Sequence, residues 1–169
     1  MKSLSQSSSH RKPVGGVRSV VLTATDNVAE ALFAAGGTLC TSLNFFDEGA
    51  LIECELLEES SCFEEELSSE SGVVAVGHRL TLVAGRNNVD GWLASEYGVE
   101  NLNRGMCGVV TLNDGRKLLV GYSERFESQQ PLRITTIKSS SGVRRTDPPT
   151  VTLILENFDT SFAPIIVTD

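Results

Sequence analysis

The side chains best suited to nucleophilic or metal chemistry are four cysteines and two histidines. The cysteines are Cys40, Cys54, Cys62 and Cys107. None of their spacings matches the short paired intervals of a zinc site or of a redox-active CxxC motif. With a chain long enough for a full core and no visible export signal, we expect four free, mostly buried thiols. A Cys/His catalytic pair would need His78, because His10 lies in a serine-rich stretch, and a single histidine in a strand is typically structural.

A pair of catalytic carboxylates is the second kind of site that the sequence could contain, because glycoside hydrolysis uses two such groups. The candidates are Glu64, Glu65, Glu66 and Glu70. Adjacent residues of a strand point to opposite faces of a sheet, so such a run usually forms a solvated edge. We therefore predict no catalytic, cofactor-binding or metal-binding residues, and interpret the protein as a non-enzyme.

The stretch VVTLNDGRKLLVGY, residues 109–122, raises the question of a phosphate-binding loop. Such a loop needs the N-terminus of a helix directly after its glycines. Here the glycine is followed by the apolar residues 118–120, which favour a strand. Asn113-Asp114-Gly115 therefore predicts a tight β-hairpin in which Gly115 has a positive φ angle.

Charge is divided sharply along the chain, whose formal net charge is -8. Residues 1–18 hold four basic side chains and no acid, whereas residues 19–78, the acidic block, hold twelve acids and no lysine or arginine. In residues 79–169, ten acids balance ten basic groups. A nucleic-acid-binding surface needs a basic stripe that displaces counterions, so we expect no specific nucleic-acid binding. The acidic block is either a solvated face or a surface that repels a polyanion.

Length and composition indicate one soluble domain. The chain has 169 residues, of which 40% are hydrophobic and 21% charged, and this size supports a single core. No apolar run approaches the roughly 18 residues that span a membrane, so we expect no membrane insertion. The serine-rich beginning lacks the apolar segment of a secretory signal, which predicts synthesis for the cytoplasm. We predict a flexible basic arm over residues 1–14 and a single β-rich domain over residues 15–169.

Hydrophobic patterning predicts a mainly β protein, an antiparallel β-sandwich or barrel with one or two short helices. Apolar runs separated by turn residues recur about every ten residues between 38 and 84, as in a β-meander. Asp26 is a good N-cap, and apolar residues follow it at helical spacing, which predicts a helix over residues 27–35. A second helix is predicted over residues 90–101. The apolar residues 165–167 are expected to pair at a sheet edge.

Two basic segments are candidates for subunit contacts. The loop of residues 139–149 is polar and contains Arg144 and Arg145, and the arm contains Arg11 and Lys12. The acidic block of a neighbouring subunit would complement the charge of the arm. For the loop, an ordinary mobile connection is the alternative.

The order of these segments is itself a pattern. Gly15-Gly16-Val17 is followed by an acidic meander that ends in HRLTLVAG, then by a predicted helix, by VVTLNDGRKLLVGYSE and by TVTLILENFDTSFAPII. Over residues 15–166 this layout resembles structural proteins of tailed phages and prophages of gut bacteria. The resemblance implies a tail or neck component of the virion, with a tail-tube-like β-sandwich that forms homo-oligomeric rings and contacts other virion proteins. Such a protein would be made in the cytoplasm of the bacterial host. The resemblance implies no catalytic residues.

The resemblance also suggests a role for the acidic block. In a ring through which DNA passes, basic groups would bind the phosphates, whereas acids would repel them at short range. The acids that we expect to face the lumen are Glu53, Glu55, Glu58, Glu64, Glu65 and Glu66. Alternatively, these acids face solvent or dock the basic arm. A β-sandwich binding or adhesion module of unknown ligand is the alternative function, and the oligomeric state would distinguish the two.

Overall fold

The computed structural model describes residues 15–85 and 105–167, and over these ranges the chain is mainly β. It forms eleven strands there: β1 (Val17–Ala24), β2 (Val28–Ala34), β3 (Leu39–Phe45), β4 (Ile52–Cys54), β5 (Cys62–Glu70), β6 (Val73–Gly85), β7 (Met106–Leu112), β8 (Lys117–Val120), β9 (Arg133–Ser140), β10 (Thr150–Asp159) and β11 (Ile165–Ile166). The predicted mainly β fold is confirmed. No helix in the described ranges has the length and apolar character needed to cross a membrane.

The described strands form two sheets. The seven-stranded sheet has the order β2-β3-β11-β8-β7-β1-β4, and the four-stranded sheet has the order β5-β6-β10-β9. The short strand β11 runs parallel to β3 and antiparallel to β8, so it joins two neighbours inside the seven-stranded sheet. The expectation that residues 165–167 pair at a sheet edge is therefore wrong.

The core lies between the two sheets, as in a β-sandwich. It is formed by alternate residues of the strands, among them Leu22, Leu80, Leu82, Val110 and Leu155. Alternation arises because successive side chains of a strand point to opposite faces. Full burial of each such side chain contributes about 1.5–3 kcal/mol. These alternating core residues therefore supply much of the free energy that holds the two sheets together.

The first predicted helix is a strand. Residues 28–34 form β2, which pairs antiparallel with β3, and only a 3-10 turn, Thr25–Asn27, lies where the helix was expected to begin. Positive φ angles of 51°, 69° and 83° at Ala35, Gly36 and Gly37 make the segment a hairpin turn rather than a helix C-cap. Pairing with β3 outweighs the modest helical propensity of this stretch. The second predicted helix, over residues 90–101, lies outside the described residues, as does the arm.

The predicted hairpin connects β7 to β8. Gly115 has a φ angle of 93°, and its N–H donates to the Leu112 carbonyl over 3.0 Å, so this prediction is confirmed. The tip also holds the beginning of β1, because the side-chain amide of Asn113 donates to the Gly15 carbonyl over 2.8 Å. The backbone N–H of Asn113 donates to the Gly16 carbonyl over 3.1 Å.

Candidate functional site

Strand β10 changes from apolar to polar along its buried face. Leu153 and Leu155 belong to the core, whereas Asn157 and Asp159, further along the same face, are buried with 6% exposure each. On the neighbouring strand β6, His78 pairs with Asn157 and is 3% exposed. Buried polar groups destabilise a fold unless they are hydrogen-bonded, so this row requires specific partners.

Both ring nitrogens of His78 face acceptor oxygens. Nδ1 lies 3.2 Å from Oδ1 of Asn157, and Nε2 lies 3.2 Å from the Ser161 carbonyl and 3.4 Å from Oε1 of Glu65. The side-chain nitrogen of Asn157 donates to the Gln130 carbonyl over 3.1 Å, which leaves Oδ1 facing the ring. Every partner of the ring is therefore an oxygen that can accept a hydrogen bond. We call Glu65, His78 and Asn157 the polar cluster.

The polar cluster holds the segment that crosses from one sheet to the other. Residues 160–164 connect β10 to β11, and the Ser161 carbonyl accepts from His78. The Ala163 N–H donates to Oε1 of Glu65. Side chains of β5 and β6 therefore fix the backbone on either side of Phe162.

An apolar cleft opens beside this segment, at one end of the sandwich. Its volume is about 270 Å³. The lining includes Thr38, Leu67, Val76, Phe162, Ala163 and Ile165. Leu67 and Phe162 are each 52% exposed, whereas Val76 is fully buried. The cleft thus presents apolar surface to solvent at the open end of the core, as protein-binding sites commonly do.

A second concavity, the acidic groove, lies on the outer face of the four-stranded sheet and holds about 570 Å³. The ring of Phe158, which is 66% exposed, packs against Gly77, where a Cβ would lie 3.4 Å from Cε1 of Phe158. The lining contains Glu65, whose side chain turns to His78, and the charged side chains that remain along the groove are Glu64, Glu66, Arg79 and Glu156. Nε of Arg79 lies 3.6 Å from Oε1 of Glu156. Because both partners are partly exposed, this pair contributes little stability, and three acids against one arginine leave the groove acidic.

The acids predicted to face a lumen point in different directions. Glu53 lies on the outer face of the seven-stranded sheet. Its neighbour Cys54 pairs with the core residue Val20 and so faces inward, and successive residues of a strand point to opposite faces. Glu64 and Glu66 are exposed on the outer face of the four-stranded sheet. The structure therefore brings Glu64 and Glu66 together but directs Glu53 away from them.

Glu65 does not share a surface with its neighbours in sequence. Its side chain is 21% exposed and contacts His78, because alternate residues of β5 point inward. Glu65 therefore lies on the opposite face of β5 from Glu64 and Glu66. Glu55 and Glu58 are exposed in the link between β4 and β5.

The predicted contact residues Arg144 and Arg145 are exposed in the loop between β9 and β10, residues 141–149. Next to them, Val143 is 97% exposed. The Asp147 carboxylate accepts hydrogen bonds from the backbone N–H of Val143 over 3.1 Å and of Arg144 over 2.9 Å. The loop therefore has a hydrogen-bonded structure of its own. Arg11 and Lys12 lie outside the described residues.

The four thiols are free, and most are shielded from solvent. Cys40 and Cys107 are buried, Cys54 is half-buried and Cys62 is exposed. Burial raises the pKa of Cys54 and of Cys107 to about 12, so these two thiols stay protonated at neutral pH and are poor nucleophiles. Within residues 15–85 and 105–167, no three His, Cys, Asp or Glu side chains come together in a way that could hold a metal ion.

Neither the cleft nor the polar cluster is among the features predicted from the sequence, although the sequence contains a signal for the cluster. In β10 the inward positions continue in phase from Leu153 and Leu155 to Asn157 and Asp159, and His78 is in phase with Leu80 on β6. Polar residues that continue the buried phase of a strand indicate a hydrogen-bonded row. The cleft has no comparable signal, because Leu67 and Phe162 come from distant parts of the chain.

Comparison with known proteins does not place the chain in a family. No protein-family model matches the sequence, and a search of curated proteins finds no match. The candidate functional surfaces among the described residues are the cleft, the acidic groove and the exposed loop.

Proposed function

We propose that this protein is a non-enzymatic structural protein that assembles with itself into a ring in the tail or neck of a phage virion. The observation that carries self-assembly is the cleft, in which Leu67 and Phe162 are each 52% exposed. Covering apolar surface is worth roughly 25 cal/mol per Å², so a partner that fills the cleft gains affinity from it. The resemblance in layout supports the virion assignment, with other virion proteins as further partners after synthesis in the host cytoplasm.

The chemistry of the described side chains supports a structural role. His78 is 3% exposed and bonds to a carbonyl, an amide and a carboxylate oxygen. None of these is a hydroxyl or thiol that an imidazole could activate. The raised thiol pKa values of Cys54 and Cys107 also argue against cysteine chemistry there. The polar cluster is better explained as the device that positions Phe162.

For the ring we propose that the outer face of the four-stranded sheet is directed toward the lumen. Glu64, Glu66 and Glu156 outnumber Arg79 along the acidic groove, and this surplus of negative charge would repel passing DNA within about 8 Å at physiological salt. Glu53, on the other outer face, would then lie outside the channel. Specific nucleic-acid binding is not part of this function.

The oligomeric state of the full chain tests the proposal. Light scattering coupled to size-exclusion chromatography should give a defined oligomer, and electron microscopy should show rings. Phe162→Ser should reduce the assembly. The matched control is Phe46→Ser, because Phe46 is 73% exposed but follows the end of β3 away from Thr38 and the cleft. A wild-type monomer at all accessible concentrations would contradict self-assembly.

A binding or adhesion module is the second candidate, and Phe158 favours it. This ring is 66% exposed, packs against Gly77 and lies among several polar side chains, an arrangement that suits stacking of a flat apolar face of a ligand on its other side. A glycan array probed with the full chain would test it. Binding that Phe158→Ala abolishes, by a protein that stays monomeric, would favour this function over assembly.

A further inference from the structure

We propose that two copies of this chain associate head to tail, with Val143 of one copy seated in the cleft of the next. The inference rests on the proposed self-assembly and names the surfaces that perform it. One partner is the 141–149 loop, and the other is the cleft beside residues 160–163.

The loop presents an apolar tip in a fixed conformation. Val143 is 97% exposed, and the backbone around it is held by the Asp147 carboxylate and by an Asp147 N–H bond of 3.0 Å to the Arg144 carbonyl. Gly142 has a φ angle of +78°, and a Cβ there would lie 2.7 Å from Cβ of Asp147, so the turn is closely packed. A preformed loop loses little conformational entropy on binding. Its exposed valine is therefore well suited to insertion.

The cleft has the complementary properties. The cleft has a volume of about 270 Å³, is open to solvent and is lined mainly by apolar groups. Leu67 on β5 and Phe162 on the crossing segment, each 52% exposed, would be covered by an inserted side chain. The polar cluster holds the backbone on both sides of Phe162, so this wall of the cleft is also preformed.

Charge favours the same pairing. Arg144 and Arg145 follow Val143 directly and are exposed. The exposed acids Glu66 and Glu70 lie on the outer face of β5, the edge strand of the four-stranded sheet, and the inward-facing Leu67 of the same strand lines the cleft. When Val143 enters the cleft, the two arginines approach this acidic strand. Opposite charges at the rim of an apolar contact speed association and set its orientation.

The geometry of β10 makes the contact directional. The loop directly precedes Thr150, the first residue of β10, and residues 160–163 directly follow Asp159, the last. At about 3.3 Å per residue, a strand of this length holds its ends roughly 30 Å apart. The tip and the cleft therefore lie at opposite ends of the same strand. A contact of this kind is heterologous, so it repeats from copy to copy until a ring closes or a filament grows.

The test uses two variants of the full chain that each block one partner. Val143→Asp removes the apolar tip, and Leu67→Asp places a charge at the mouth of the cleft. Each variant alone should lose the wild-type oligomer in light scattering. Mixed in equal amounts, they should form a dimer and nothing larger, because the intact cleft of one accepts the intact loop of the other and the remaining two surfaces are blocked. Thr146→Asp, the same added charge in the same loop, should assemble as the wild type does.

The outcomes separate this inference from the proposed function. If the wild type is oligomeric and both single variants keep its size, another surface mediates assembly and the inference is overturned while self-assembly stands. If the wild type is monomeric, both fail. Two folded variants that lose the oligomer without forming a mixed dimer would also overturn the head-to-tail contact. Circular dichroism checks the fold of Leu67→Asp, and Phe162→Ser replaces it as the cleft variant if that fold is lost.

Discussion

The hairpin tip of residues 112–116 and the polar cluster are both held by hydrogen bonds, but the origins of their partners differ. In the tip, Gly115 bonds to Leu112 and Asp114 bonds to Arg116, so local bonds close the turn. From the closed turn, Asn113 reaches distant residues, with bonds to Gly15 and Gly16. In the polar cluster, His78 bonds to groups 79 and 83 residues away in sequence. A local turn forms wherever its few residues permit, whereas the cluster exists only when three strands and a crossing segment are in register.

The two regions also differ in what their hydrogen bonds are worth. The ion pair of Asp114 and Arg116, at 2.8 Å, is exposed, and exposed pairs contribute little because water and salt screen them. In the polar cluster, removing one partner leaves buried groups without a hydrogen bond, which costs more. Substitutions should therefore have larger effects in the cluster than in the tip.

The largest loss of stability is expected from a substitution in the apolar half of β10. It serves as the reference for substitutions in the polar cluster and in the tip. Leu155 is fully buried, so Leu155→Ala should lower the free energy of unfolding by about 2–5 kcal/mol through lost burial and a residual cavity. Urea denaturation followed by circular dichroism measures this. A loss below about 1 kcal/mol would mean that the core between the sheets is not packed as described.

Asn157→Ala should have the next largest effect. It leaves Nδ1 of His78 and the Gln130 carbonyl without their partner, which should cost about 1–3 kcal/mol. Hydrogen exchange at the Ala163 amide should also become faster, because the cluster holds that segment. The control is Asn44→Ala, which removes an exposed amide and should change stability by less than about 0.5 kcal/mol. Equal losses of stability from the two substitutions would show that the buried polar cluster contributes no more than an exposed amide does.

Gly115→Ala tests the tip and should cost roughly 1 kcal/mol. A Cβ at this position meets nothing within 4 Å, so the cost comes from the positive φ angle of 93° alone. Gly85→Ala is the matched control, since a Cβ there also meets nothing within 4 Å and the backbone carries no such strain. Denaturation curves of the two variants that coincide would argue against the strained turn. Loss of affinity for a nucleotide would instead support a phosphate-binding loop.

The smallest effect is expected from the charge on Asp114. The hydrogen bond from the backbone N–H of Arg116, followed by the Arg116 side chain, holds the pKa of this carboxyl below its ordinary value of 3.8. A lowered pKa in the folded state means that the carboxylate stabilises the fold above pH 3.8 and that this contribution is lost as the pH falls through the lowered value. The stability difference between wild type and Asp114→Asn should therefore shrink on going from neutral pH to about pH 3. A difference that stays constant would contradict the assignment.

Features that depend on neighbouring residues could be predicted from the sequence. Period-two alternation indicated a mainly β protein, and Asn113-Asp114-Gly115 predicted the hairpin and the positive φ angle because three adjacent residues contain the whole signal. The placement of His78 in a strand, as a hydrogen-bonded residue, followed from the same local pattern. These inferences needed no knowledge of what lies across the sheet.

Features that depend on distant partners could not be predicted from the sequence. Residues 28–34 carry helical spacing but form a strand, because pairing with β3 satisfies their backbone groups. Residues 165–166 join β3 to β8 inside a sheet rather than at its edge. Glu65 turns inward because the register of β5 and β6 places it opposite His78, and a shift of one residue would exchange it with Glu64 or Glu66. Register is a relation between strands, and this is why the polar cluster and the cleft emerge only when the strands are assembled.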